Sequence, residues 1–222
     1  MSLISEMVHI VNSFIAMDPW TLKAALRSDA TWVLGLLVAL CGGGAIAYLY
    51  KKIPLLNKHL ERSFMVVSYL SIAFIIFWGV IDRFIFSNQQ PWSTTVPPLL
   101  FMIMAWFGAT YNVKLRSHLS FSEFRSRMGR NGQFACLCLD NALWMAFSVI
   151  VLVTTTKAVV LSASNFQIVL GTDNVMQWWF LLTAPVAFLL MSARVIENFA
   201  EDVANFKSGN TLLKQTVIGG DV

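Results

Sequence analysis

The sequence predicts an all-α membrane protein with five transmembrane helices and interfacial amphipathic helices. Three observations predict it. Of the 222 residues, 57% are hydrophobic and 13% charged, whereas an average soluble domain has about 45–50% and about 25%. The apolar residues come in blocks: Trp32–Tyr50, Ser63–Ile81, Val96–Val113 and Val175–Ala193 contain no Asp, Glu, Lys or Arg, and Phe134–Thr156 contains only Asp140. Each block approaches the length of about 20 residues that a helix needs to cross a hydrocarbon layer while bonding its own backbone. No run of alternating ten-residue strands, the mark of an outer-membrane barrel, interrupts them.

At the N-terminus, residues 1–17 carry no Lys or Arg, so the basic start of a secretory signal is missing and a retained N-terminus is expected. Residues 3–15 place Leu3, Ile4, Met7, Val8, Ile10, Val11, Phe14 and Ile15 on one half of a helix and Glu6, His9 and Asn12 on the other, the pattern of a helix lying along a membrane surface. Asp18-Pro19 ends it, because Asp favours a cap and Pro a first helical position. Gly42-Gly43-Gly44 in the first span reads as a close-packing site rather than a hinge, since small residues in membrane helices let backbones approach.

Spans two and three form a tight hairpin around the polar turn Asn88–Trp92, whose aromatic suits interface depth. The basic stretch Lys114–Arg130 sets Phe121, Phe124 and Met128 at helical spacing, as a helix resting on a leaflet would. Ala158–Asn174 reads as a short loop against lipid or a partner. Beyond Arg194, Val195, Ile196, Phe199, Val203 and Phe206 share one helical face, so the last span runs on past the membrane until Gly209 stops it. No internal repeat of the kind that builds many transporters is visible.

Orientation follows from the sixteen basic residues. Twelve fall after block one, after block three or in the tail, and the connections on the other side hold only Lys23, Arg27 and Lys157, with Arg83 at a helix end. Basic residues are retained in the cytoplasm, so the N-terminus is expected outside and the C-terminus inside. The odd number of spans requires the same. This bias accounts for the net charge of +4 without a nucleic-acid partner, because basic residues beside helix ends also face anionic lipid.

Catalytic chemistry is hard to build from these residues. A haem subunit needs His inside its spans, yet His9, His59 and His118 fall outside all five blocks. The same lack argues against an intramembrane serine protease. Cys136 and Cys138 diverge by about 200° on a helix and cannot chelate one metal together; they read as small buried hydrophobes, and Cys41 lies inside the first span. No phosphate loop occurs. Asp140 and Arg83 are the candidate in-membrane charges, both with structural roles in view. The expectation is a chain without enzymatic activity, cofactor or metal, acting as a scaffold for a transporting partner. The alternatives are a membrane anchor of a redox complex and a stand-alone carrier or enzyme.

From Glu61 to about Ala200 the chain resembles the small membrane subunit, DctQ-like, of tripartite ATP-independent periplasmic (TRAP) transporters. The resemblance rests on the helix Phe64–Phe86 closing with Arg83-Phe84, on Pro91-Trp92 in a short loop, and on a helix ending Phe107-Gly108-Ala109. It continues with the basic stretch Lys114–Leu119 containing His118, and with Trp178-Trp179 and Pro185 in a last helix running to Arg194. Many family members have an acidic pair after the loop Trp where this chain has Ser93-Thr94-Thr95, so no role of those carboxylates carries over. The family commonly has four spans. The expected organisation is therefore residues 1–31 as periplasmic helix and lead-in, 32–50 as an added span, 61–200 as the four-helix core and 201–222 as a cytoplasmic tail.

The resemblance implies a secondary active uptake system of the bacterial inner membrane, in which a periplasmic binding protein captures an organic acid and a large elevator-type subunit moves it with sodium. The sodium belongs to that large subunit; the small one is an immobile scaffold. Gly79, Gly108 and Ala109 are candidates for packing the large subunit. Arg83 and Trp92 would set helix depth. Arg116, His118, Arg125 and Arg127 would meet lipid phosphates or acidic partner groups, or serve only the charge bias. Ser87–Thr95 and Ala158–Asn174 could meet the binding protein.

Overall fold

A computed structural model describes residues 2–116 and 127–212 of the chain, and among them the secondary structure is helical apart from one isolated bridge, Ile168 to Met176. The surface stretch expected around Phe121 and Phe124, with His118 and Arg125, lies outside the described residues. Five helices are long and apolar enough to cross a membrane by length and composition: Ala30–Lys52, Pro54–Phe84, Trp92–Leu115, Arg130–Ser164 and Trp178–Ser208.

Helix α1, Leu3–Ile15, begins where the Ser2 side chain accepts the Ser5 N–H at 3.3 Å. Helix α2, Pro19–Ala25, begins where Asp18 accepts the Trp20 N–H at 3.0 Å with Pro19 in the first turn, the cap expected from Asp-Pro. The amphipathic helix is not simply laid on a surface. Ile10 is buried with Leu22, Ala25, Leu26, Ala30 and Val160, while Ile4, Val8, Phe14 and Ile15 stay exposed.

The first span is α3, Ala30–Leu37, a π-helical turn at Val38–Gly42, and α4, Gly43–Lys52. An α-helix advances 100° per residue, so residues four apart drift by about 40°; the wider π turn resets that drift. Ala39, Gly43 and Tyr50 are thereby all buried. A Cβ on Gly35 would sit 2.3 Å from Val153 Cγ2, and one on Gly43 would sit 3.2 Å from the backbone N of Ala193. Gly42 and Gly43 therefore serve close packing, whereas Gly44 has nothing within 4 Å.

Helix α5, Pro54–Phe84, starts a full two turns earlier than the apolar block. Ile53 is held extended before proline and Pro54 takes the first turn, as pre-proline sterics favour. The basic residues after block one, Lys51, Lys52, Lys58 and Arg62, thus all lie on helix. Helix α6, Trp92–Leu115, pairs with α5 as the expected hairpin. Helix α7, Arg130–Ser164, extends well beyond its apolar block into the segment expected to be a loop.

The remaining connection, 165–177, folds back on itself. Val169 N–H donates to Val175 O at 2.8 Å and Gln177 N–H to Gln167 O at 2.9 Å. The last span divides into α8, Trp178–Leu181, and α9, Thr183–Ser208. The break comes just before Pro185, whose ring and missing N–H oppose a continuous helix. Gly209 ends α9 at φ +80°, the left-handed cap that glycine accommodates.

Helix α9 is the hub. It packs against α4, α6 and α7, and the core groups Ala39, Val113, Val149, Leu152, Phe188, Met191 and Val195. Thr110 Oγ1 donates to Ala187 O at 3.0 Å across the α6–α9 contact. Helix α5 lies at the edge, with Phe74, Phe77 and Trp78 exposed.

Candidate functional site: charged locks at the basic end

Most of the basic residues gather at one end of the bundle, and there the structure buries charge. Arg194 is 1% exposed and Glu61 fully buried. Arg194 donates through Nε to Glu61 Oε1 at 2.8 Å, through Nη1 to Asn57 Oδ1 and Glu197 Oε2, both at 2.7 Å, and through Nη2 to Asn57 O at 3.1 Å. Its Nη2 also lies 2.6 Å from Glu61 Oε1. Tyr50 presents its ring 3.7 Å from the guanidinium carbon and its hydroxyl donates to Glu61 Oε1 at 3.2 Å. Lys114 Nζ donates to Asn57 O. Four helices, α4, α5, α6 and α9, thus meet at one cluster holding two cations and two carboxylates. A planar guanidinium suits it, because its donors fan out in a fixed fork while its face stacks on an aromatic.

A second cluster joins α6, α7 and α9. Arg116, left-handed at φ +53°, ends α6 and donates through Nη1 to Asp202 Oδ1 at 2.6 Å and through Nη2 to Asn198 O at 2.9 Å, with Glu201 Oε2 at 3.3 Å. Asp202, 2% exposed, accepts the Asn141 amide at 2.9 Å on its other oxygen. Asn198 Nδ2 donates to Val113 O at 2.9 Å, satisfying a carbonyl at the end of α6. Arg130, in the first turn of α7, donates to Asn205 O, Phe206 O and Gly209 O at 2.9–3.1 Å. A cation there complements the negative end of the α9 dipole.

At the opposite end the lock is backbone geometry. Thr95 Oγ1 donates to Leu170 O at 2.6 Å, and Gly171, at φ +81°, lies where a Cβ would be 2.7 Å from the Pro91 backbone and Trp92 N. Gly171→Ala is therefore expected to loosen this end by about 1–2 kcal/mol from the left-handed conformation alone, with the clash added. The thermal unfolding midpoint in detergent should fall, and an unchanged midpoint would contradict the docking.

The sequence-derived candidates fall in different places. Arg194 and Arg116 are both bonded inside the chain, Arg116 to the chain's own Asp202 and Glu201. Gly79 faces Ser93 and Gly108 faces Met65, both across the α5–α6 hairpin, and Ala109 packs on the central cluster. Arg83 is exposed beside the Phe84 ring, Trp92 half-buried and Arg127 exposed. Trp178 and Trp179 meet edge to face at 6.1 Å, and Pro185 is buried. His118 and Arg125 lie outside the described residues.

The buried charges are not the ones singled out in the sequence: Asp140 is half-buried and Arg83 exposed, whereas the buried carboxylates are Glu61 and Asp202. The signal was present: Asn57, Glu61, Met65 and Ser68 follow one helical stripe, and Arg194 sits inside the run Met191–Val195 of small and apolar residues. Chemically, the bonds described for both clusters run between helices of this chain, with Glu61 Oε2 left without a partner among the described residues, which makes the clusters fasteners. Among the described residues, no three His, Cys, Asp or Glu side chains converge to hold a metal ion.

Residues 72–205, well over half of the chain, match the family model described as the DctQ component of tripartite ATP-independent periplasmic transporters. No curated protein matches the chain.

Proposed function

The chain belongs to the DctQ family, the small membrane component of TRAP transporters, and from that premise we propose that it is the static scaffold of a sodium-driven organic-acid uptake system. It is a multi-pass inner-membrane protein whose family assembles with a large permease subunit and a binding protein. On this reading the large subunit binds sodium and substrate and moves them, and the small subunit fixes the frame against which that movement occurs. The basic end faces the cytoplasm, which leaves the N-terminus and the 165–177 connection periplasmic, where the binding protein makes transient contact.

The observation that supports a scaffold is the fate of the buried charges. A carrier keeps polar groups available to its cargo along a path; here Arg194, Asp202 and Glu61 Oε1 bond to neighbouring helices of the same chain. The proposed contact for the large subunit is the outer face of α5, where Phe74, Phe77 and Trp78 are exposed and van der Waals packing supplies association in lipid.

Affinity-tagged chain extracted in mild detergent is expected to retain a much larger membrane subunit, and vesicles containing both subunits to take up an organic acid only with binding protein and a sodium gradient. Replacing Phe74, Phe77 and Trp78 by Ala should release the large subunit while helicity is kept. Uptake by the chain alone would refute the scaffold role.

A further inference from the structure

The added first span does not run alongside one neighbour. Its outer half packs on α7 through Gly35 against Val153, and its inner half packs on α9 through Gly43 against Ser192 and Ala193. As the span leaves α7 it opens a cleft of about 260 Å³ between the three helices, lined by Leu40, Asn141, Ala142, Met145, Ile196 and Phe199 among others. The lining is apolar in effect, because the Asn141 amide is committed to Leu137 O and Asp202 Oδ2, each at 2.9 Å.

We propose that this cleft holds one acyl chain of an anionic phospholipid from the leaflet at the basic end. The apolar lining suits a hydrocarbon chain. Charge selects the headgroup. Leu40, Gly44 and Lys51 each follow a buried residue, Ala39, Gly43 or Tyr50, and so lie on the same side of the span. The stripe that starts from Leu40 in the cleft therefore ends in an exposed lysine at the basic end of the bundle. Gly44, with nothing within 4 Å, leaves the way from Lys51 to Leu40 open. On α9 the Ile196–Phe199 stripe continues through Val203 to the exposed Lys207, adding a second cation beyond the mouth. Basic residues beside a helix end attract anionic lipid at about 1 kcal/mol each.

This site is independent of the scaffold reading, since it concerns lipid held between helices of the chain whatever its partner does. The test uses the chain as extracted with its copurifying subunit and reconstituted into phosphatidylethanolamine–phosphatidylglycerol vesicles. Trace phosphatidylglycerol or phosphatidylcholine carrying a photoactivatable acyl chain is added, and the labelled peptides are mapped by mass spectrometry. The expected result is labelling of the peptides around Met145 and Phe199, several-fold stronger from phosphatidylglycerol. Ala142→Phe, which fills the cleft from an exposed position, should abolish that labelling and leave labelling of α5 unchanged. Lys51→Glu should abolish the preference between headgroups. If Ala142→Phe disturbs α5 labelling as well, Ala142→Leu provides the smaller obstruction. Cleft labelling that survives both Ala142 variants, or that is equal from the two lipids in the wild type, overturns the proposal. So does crosslinking of Cys138, another cleft residue, to the copurifying subunit in place of lipid labelling.

Discussion

Arg194→Met is expected to destabilise the chain by about 3–5 kcal/mol, the cost of leaving one member of a buried ion pair without its partner. Glu61 would keep only the Tyr50 hydroxyl among the bonds described for it, since its Oε2 has no partner among the described residues. The loss would spread beyond one pair, because Arg194 also holds Asn57 and Glu197 and stacks on Tyr50. Membrane-extracted protein should melt well below wild type and aggregate early. Arg194→Lys should recover only part of the loss: an ammonium keeps the charge but cannot donate in a planar fork or stack as the guanidinium does. The double variant Arg194→Met with Glu61→Met removes both charges and should recover much of the stability, as replacement of buried pairs by apolar residues often does. If Arg194→Met melts like wild type, the cluster does not hold the helices together.

The spans were legible because bilayer thickness imposes a length and a composition that no tertiary contact can override, and the same blocks appear as helices. Gly209 was legible because a left-handed cap has a residue preference, and Asp18-Pro19 because a cap and a first-turn proline act locally. Helix lengths outside the lipid were not. Pro54–Arg62 is largely polar and Lys157–Ser164 only mildly apolar, and their helicity comes from continuing a nucleated helix, which no local pattern announces. The charged locks were obscured by the charge-bias rule itself. That rule counts Arg194 and Arg116 as topology signals, and a count does not distinguish a solvated cation from one stacked on Tyr50. Glu61 lies between His59 and Arg62 in a basic stretch; only the packing of α5 against α6 and α4, with Arg194 reaching across from α9, turns it inward. What sequence could supply was the stripe Asn57, Glu61, Met65, Ser68, which needs a partner helix before it means anything.

The attachment of the added span to the core rests on a close backbone approach, so Gly43→Leu is the substitution expected to sever it. Even a Cβ there would lie 3.1 Å from Ser192 Cβ and 3.2 Å from the Ala193 backbone N, and a backbone atom inside α9 cannot turn aside as a side chain can. Overpacking of this kind costs about 1–3 kcal/mol and occasionally more, and a full leucine against a fixed helix belongs at the upper end. Gly44→Leu supplies the control. It adds the same side chain one residue later, where nothing lies within 4 Å, and leucine favours helix over glycine by roughly 0.5–1 kcal/mol. A protease site inserted at Ile53, between α4 and α5, makes the difference measurable. After cleavage the N-terminal fragment should stay with a tag on the core in the wild type and in Gly44→Leu. In Gly43→Leu it should wash away, because the Gly42–Gly43 approach is lost and Tyr50 can no longer reach Arg194. Retention of the fragment in Gly43→Leu would mean that α1 and α2, held by Ile10 against Val160 and its neighbours, suffice to keep the added span in place.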